Sequence, residues 1–205
     1  MTLVIALLGP AGAGKSTVGN HLVERYGAKK YSLSASLKEI AKRVMNFSDE
    51  QLYGTQEQKE AIDERYGMSC RTFLQKLGTE GVRDVLGPDT WAVGCLRKIN
   101  LERPSIAVID DTRFINEASL IRNVDKQHPG LFGYVWRLYP PDDVEGITRA
   151  QAAGVHRSEL EWELAECDSM VKPSYRSVEL LTRMVDNVLL RDYPTVFPVR
   201  REVSQ

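Results

Sequence analysis

The chain has 205 residues, a formal net charge of −1, 42% hydrophobic and 27% charged residues. This is enough chain for one sizeable core, and the near-neutral balance excludes the global positive field of a protein that coats nucleic acid or anionic membrane. Its three cysteines, Cys70, Cys95 and Cys167, stand far apart with no C-x-x-C pair, which excludes a disulfide framework or zinc cluster and predicts reduced thiols in the cytoplasm.

The first predicted element is a strand. LVIALL (3–8) is a continuous apolar run, the pattern of a strand buried on both faces and too short for a signal peptide or membrane span. KSTVGNHLVERY (15–26) spaces Val18, Leu22 and Tyr26 four apart, one face of a helix that the following glycine ends. KKYSL (29–33) predicts a short second strand, and SLKEIAKRVMNF (36–47) predicts a helix opened by Ser36 and Glu39 in capping-box spacing, with Leu37, Ile40, Ala41 and Val44 inward. Residues 48–70 are polar and weakly periodic and are expected to form a mobile excursion with short helical pieces.

RTFLQKLGTEGVRDVL (71–86) predicts a helix with Phe73, Leu74, Leu77 and Val85 as its core stripe. GPD punctuates it, and TWAVGCLRKI (90–99) predicts another helix. SIAVID (105–110) is a second buried strand that ends in acids, followed by helix INEASLIRNV (115–124) and strand LFGYVWRLY (131–139). After a charged stretch from Asp142 to Glu166 come a short strand, DSMVK (168–172), and an amphipathic helix around Val178, Leu181, Val185, Val188 and Leu189. The tail DYPTVFPVRREVSQ is expected to lie on the surface or fray. Strands alternating with helices predict an α/β fold with a doubly covered parallel sheet, and no repeat or linker divides residues 1–205.

Between the first strand and the first helix, Gly9, Gly14, Lys15 and Ser16 satisfy G-x-x-x-x-G-K-[ST]. A triphosphate needs several backbone N–H donors converging on it, and Gly9, Gly12 and Gly14 give the chain the freedom to wrap that tightly. The helix starting near Lys15 aims its positive end at the phosphates, Lys15 bridges the terminal ones, and Ser16 is the expected magnesium ligand. The natural partner is IAVIDDTRF. A carboxylate at the end of a strand beside the loop holds metal-bound water or takes an acceptor's proton, and of Asp110 and Asp111 only one faces the phosphates if both are in the strand. Arg113, Asn116 and Glu117 follow within two helical turns as candidates to line an acceptor site.

LGPAGAGKST, RTFLQKLGTEGVRD, GPDTW, VIDDTRFINEA and HRSE occur in the order seen in bacteriophage deoxynucleoside monophosphate kinases, and the chain resembles that family over nearly its full length. The family belongs to the nucleoside monophosphate kinase group of P-loop proteins. The resemblance implies a P-loop NTPase three-layer fold with a five-stranded parallel sheet, a helical acceptor-binding region near 35–100 and a lid near 140–160. It implies an ATP-dependent phosphotransferase that uses Mg2+ and moves the γ-phosphoryl group onto a deoxynucleoside monophosphate. By it, Ala11, Ala13 and Thr17 join the loop, with Arg149 of the lid on the ATP. Ser34, Lys38, Arg71, Gln75, Glu80, Arg83 and Trp91 line the acceptor side, with Arg113, Asn116 and Glu117 nearer the phosphates. Lys15, Asp111, Arg113 and Arg157 carry catalysis, and Ser16 and Asp111 hold the metal. Arginine suits this work because its fork matches phosphate oxygens bidentately.

The chain departs from the family's pattern at Ser34-Ala35-Ser36, where an acid and a proline are common, and at Cys70, where proline is. Both departures fall in the acceptor half. A hydroxyl acceptor, unlike a monophosphate, needs a carboxylate to take its proton. The doubled acid therefore keeps open a kinase acting on the hydroxymethyl group of 5-hydroxymethyluracil in DNA, with Lys29-Lys30, Arg97-Lys98 and Arg200-Arg201 as backbone contacts. A nucleotide-dependent switch ATPase is a third reading. A homodimer is compatible with each.

Overall fold

The computed structural model describes residues 1–10, 12–141 and 161–194. In chain order the elements are β1 (Thr2–Leu8), α1 (Lys15–Tyr26), β2 (Lys29–Tyr31), α2 (Ala35–Arg43), α3 (Asp49–Tyr53), α4 (Gln56–Glu60), β3 (Ile62–Asp63), β4 (Met68–Ser69) and α5 (Cys70–Lys76). A π-helical stretch (Leu77–Arg83) follows, then α6 (Asp84–Leu86), α7 (Thr90–Glu102), β5 (Ile106–Thr112), α8 (Ile115–Arg122), β6 (Leu131–Leu138), β7 (Ser169–Val171) and α9 (Val178–Asp192). The chain forms two compact units, one from Met1–Tyr31 with Ile99–Gln205 and the other from Ser32–Lys98.

The first unit is built on a parallel five-stranded sheet in the order β2-β5-β1-β6-β7. β1 lies at its centre with all seven residues buried, which is why its sequence is apolar without alternation. One side chain in two points to each face. Leu3, Ile5 and Leu7 join Ile106, Val108, Trp136 and Leu138 beneath Val18 and Leu22 of α1 and Leu181, Val185 and Leu189 of α9. Each such side chain contributes roughly 1.5–3 kcal/mol when fully buried. α8 packs over β1 and β6 with Ala118 and Ile121 buried. Asp186 ties α9 to α1, accepting from the Tyr26 hydroxyl at 2.7 Å and pairing with His21 Nε2 at 2.6 Å. Trp136 Nε1 donates to the Tyr193 hydroxyl at 3.1 Å just beyond α9.

The second unit is helical. Ala41, Phe47, Leu52 and Cys70 form its buried centre, with Met45, Tyr66, Phe73 and Leu74 packed against it. The polar stretch 48–70 holds the short helical pieces expected of it: Ser48 and Thr55 open α3 and α4 with complete capping boxes, and β3 and β4 pair antiparallel. α2 begins earlier than predicted. Ser34, whose carbonyl accepts from the Lys38 amide at 2.9 Å, is its N-cap, and Glu39 pairs with Arg43 instead of capping. The buried stripe of α2 narrows to Leu37 and Ala41, while Ile40 and Val44 face outward.

Val85 also leaves its predicted place in the core and is 71% exposed. The π-helical turns at Leu77–Arg83 bond five residues back rather than four, so every later side chain is rotated by about one residue step relative to an α-helix. Cys70 and Cys95 are buried free thiols and Cys167 is a half-buried one. No helix among the described residues is long and apolar enough to cross a membrane.

A Cβ added at Gly133 of β6 would stand 1.7 Å from the Ile121 carbonyl oxygen of α8, whereas one added at Gly94 of α7 meets nothing within 4 Å. Gly133→Ala is expected to lower unfolding free energy by about 2 kcal/mol or more and Gly94→Ala to raise it by about 0.5–1 kcal/mol. Urea titration followed by far-UV circular dichroism checks both; an unaffected Gly133→Ala protein would contradict the packing of α8 on β6.

Candidate functional site

The turn from β1 into α1 has little steric freedom. Gly9 has φ +154, and a Cβ there would stand 2.4 Å from the Leu138 carbonyl oxygen of β6. Gly14, the left-handed residue before α1, has φ +85, and its Cβ would stand 2.6 Å from Leu181 Cδ2 of α9. The backbone angle demands glycine at both positions, and at Gly9 the rigid backbone oxygen demands it as well. Ala13 is buried, and its amide reaches the Pro10 carbonyl at 3.4 Å. Ala11 lies outside the described residues.

α1 starts at Lys15 with no acid in its first turn, so the dipole's positive end, at the amides of Lys15, Ser16 and Thr17, is uncompensated by side chains of that turn. Ser16 is exposed beside them and Thr17 half-buried. Lys15 folds back over the turn: Nζ donates to the Gly9 carbonyl at 2.6 Å and the Pro10 carbonyl at 2.7 Å, and the residue is only 9% exposed. An anion seated in the turn would exchange with those carbonyls for a charge-assisted bond from the same ammonium.

Beside the turn, β5 carries the acids on an irregularity. Ala6 pairs with Ile109 but Leu8 with Thr112, so Asp110 and Asp111 together oppose Leu7. Such a bulge re-aims side chains without ending the strand, and both acids lie inside β5. Asp110 faces α1, with a carboxylate oxygen 2.7 Å from Lys30 Nζ, and packs beside Gly19. Lys30 also donates to Asn20 Oδ1 at 3.2 Å. Asp110 is thus neutralised by an ion pair at 11% side-chain exposure. Lys30 and Asn20 carry no motif, and nothing in the sequence marked them as its partners.

Glu117, expected on the acceptor side, is 2% exposed, and its Oε2 accepts from the Arg113 amide at 2.8 Å and the Phe114 amide at 3.1 Å. A carboxylate at a helix start is drawn to the unbonded amides there. Arg113 and Asn116 are half-buried at the same turn. Arg149 and Arg157, and with them the expected lid, fall outside the described residues.

In the helical unit, Arg83, expected on the acceptor side, is buried, and its Nη1 donates to the Pro88 carbonyl of the Gly-Pro-Asp turn at 3.1 Å. Trp91 Nε1 donates to the Gly78 carbonyl at 3.0 Å and pins the π-helical stretch. Arg71 and Gln75 are half-buried on α5, and Glu80 is exposed on the π-helical stretch. Ser34 shares a 3.0 Å hydrogen bond with Ser32. Lys38 places Nζ 5.1 Å from the centre of the Tyr53 ring. In the same unit, Arg65 and then Gln51 hold the Asp63 carboxyl well below the usual carboxylate range, at 2.6 Å from Arg65 Nη2 and 2.9 Å from Gln51 Nε2.

A fully buried strand, a glycine turn and a helix aimed back over it, set in a three-layer parallel sheet, make this a P-loop α/β fold. A protein of Acanthamoeba polyphaga mimivirus named "Putative deoxynucleotide monophosphate kinase" is 32% identical over 191 residues, covering 86% of this chain and 91% of that one. The chain belongs to the deoxynucleotide monophosphate kinase family, and it is a phosphotransferase. No family model matches it. Similar solved structures include the shikimate kinase of Acinetobacter baumannii in complex with shikimate, 18% identical over 93% of this chain and 94% of that one at a TM-score of 0.48. The shikimate kinase of Aquifex aeolicus is 16% identical over 92% and 97% at a TM-score of 0.48.

Because the folded state holds Asp63 ionised below the unfolded value of 3.8, its stabilisation is complete above that pH and is lost as pH falls toward the lower folded value. Asp63→Asn is expected to flatten the fall in melting temperature between about pH 4 and pH 2 while lowering stability at pH 7. A variant with the wild-type acid limb would show that the Arg65 pair contributes nothing.

Proposed function

We propose that the protein transfers the γ-phosphoryl group of ATP to a deoxynucleoside monophosphate. The observation that carries this is Lys15, held by a glycine turn with its ammonium over the loop's own carbonyls, in a chain whose viral relative bears the name of that activity. An acceptor phosphate oxygen attacks the γ-phosphorus, the bond from that phosphorus to the β,γ-bridging oxygen breaks, and ADP leaves. The acceptor arrives as an anion, so no base is required. The task is to neutralise charge spreading over the equatorial oxygens and to exclude water.

In this reading Lys15 leaves the Gly9 and Pro10 carbonyls for the terminal phosphates, and the amides of Gly12 to Thr17 bind the others. The exposed Ser16 hydroxyl and the Asp111 carboxylate are hard oxygen donors of the kind magnesium takes, and the described residues hold no cluster of three or more metal-binding side chains. That fits an ion carried largely by substrate phosphates and water. When bound, magnesium would neutralise phosphate charge. Within the helical unit, Ser34, Lys38, Arg71, Gln75, Glu80, Arg83 and Trp91 are the proposed acceptor contacts; within the sheet unit, Arg113, Asn116, Arg149 and Arg157 are the proposed phosphate contacts. A phage or other viral origin and a cytoplasmic setting belong to the same reading.

Two ion pairs favour a free nucleotide over DNA as acceptor. Lys29 is engaged by Glu102 at 2.9 Å and Lys30 by Asp110 at 2.7 Å. These lysines are drawn toward acids instead of being presented to a phosphate backbone.

The test supplies labelled ATP and magnesium with each deoxynucleoside monophosphate, with hydroxymethylated nucleotides, and with DNA containing hydroxymethyluracil. Label is expected in a deoxynucleoside diphosphate, and Lys15→Ala should reduce turnover about a hundredfold or more with the melting temperature little changed. Label appearing only in DNA, or ATP hydrolysis indifferent to acceptor, would overturn the proposal.

A further inference from the structure

Leu52 and Tyr53 close α3 side by side, and the helical unit treats them oppositely. Leu52 is 2% exposed in its core, whereas Tyr53 is 55% exposed. The ring is mounted on a defined helix end. The Gly54 amide caps α3 on the Glu50 carbonyl at 2.9 Å, and a Cβ on Gly54 would stand 2.4 Å from that oxygen. Over the ring stands Lys38 Nζ, 5.1 Å from its centre, reaching across from α2. The same ammonium acts on the Cys70 thiol, opposing the upward push of burial, so its charge reaches the start of α5. The next residue there is Arg71, whose Nη1 is 3.9 Å from Glu60 Oε1, at the outer edge of ion-pair distance.

A cation resting on an exposed aromatic face is held weakly. An anion can draw the cation away, and a flat ring can take its place on the face. A nucleoside monophosphate brings both: a dianionic phosphate and a planar base joined through one sugar. We propose that Tyr53 is the platform on which the acceptor's base stacks, and that Lys38 leaves the ring for the acceptor's phosphate as it does so. This rests on the proposed function and names a specificity element for it. Stacking reads a π-face more than a hydrogen-bond pattern, so such a platform accepts every base and favours the larger purines.

The experiment measures acceptor KM, ATP KM and kcat for wild type, Tyr53→Phe, Tyr53→Leu and Tyr53→Ala with each of the four common deoxynucleoside monophosphates. Tyr53→Ala and Tyr53→Leu are expected to raise acceptor KM roughly tenfold, more for purines, with ATP KM within about twofold. Tyr53→Phe keeps the π-face and should stay near wild type. Tyr53→Leu keeps bulk at the position, so a folding defect confined to the alanine variant does not obscure the result. Acceptor KM within about twofold of wild type in both the alanine and leucine variants, or an equal rise in ATP KM, would overturn the platform. A wild type that transfers to no monophosphate would overturn the proposed function and the platform with it, whereas normal wild-type transfer with insensitive variants removes the platform alone.

Discussion

Gly9 leaves no space for a side chain and Gly14 holds a left-handed backbone angle, and the atoms packed against them belong to the sheet and its covering helix. The Leu138 carbonyl comes from β6, the neighbour of β1, and Leu181 comes from α9. The turn is therefore shaped by the core. β1 is buried along its whole length, α1 is fixed to α9 through Asp186, and together they set the turn's entry and exit. Preorganised amides at the start of a helix stabilise developing negative charge because they need no rearrangement when it appears. The same packing that stabilises the sheet unit thus prepares the anion site.

Charge around that site is already paired. Lys15 lies on two carbonyls, Asp110 on Lys30, and the Glu117 carboxylate on two amides. Each pairing lowers the expense of burying a polar group. They differ in what an incoming phosphate can displace. A neutral carbonyl yields readily to a phosphate oxygen on an ammonium, whereas the buried Glu117 has no comparable exchange available. This difference separates a residue poised for ligand from residues that brace the frame.

The fold was legible because its central strands carry strong local signals. LVIALL and IAVID have no polar interruption, and the glycine turn lies between a continuous run and a helical repeat. What the sequence concealed followed from features with no local signature. The π-helical turns at Leu77–Arg83 shift the register that placed Val85 inward, and the bulge at Asp110–Asp111 cannot be counted from spacing along one strand. The helix start at Ile115 was legible, but nothing local shows that the Glu117 carboxylate turns back onto the Arg113 and Phe114 amides. Tyr53 sits in a polar stretch whose capped helices are too short to show periodicity.

The central claim is that the amides from Gly12 to Thr17 receive the polyphosphate. The most direct measurement follows backbone amide resonances of the isotope-labelled protein during titration with ATP and magnesium. The account predicts that these amides shift first and farthest, saturating together as a single site fills. Saturable nucleotide binding that leaves them unmoved while other residues respond would contradict it.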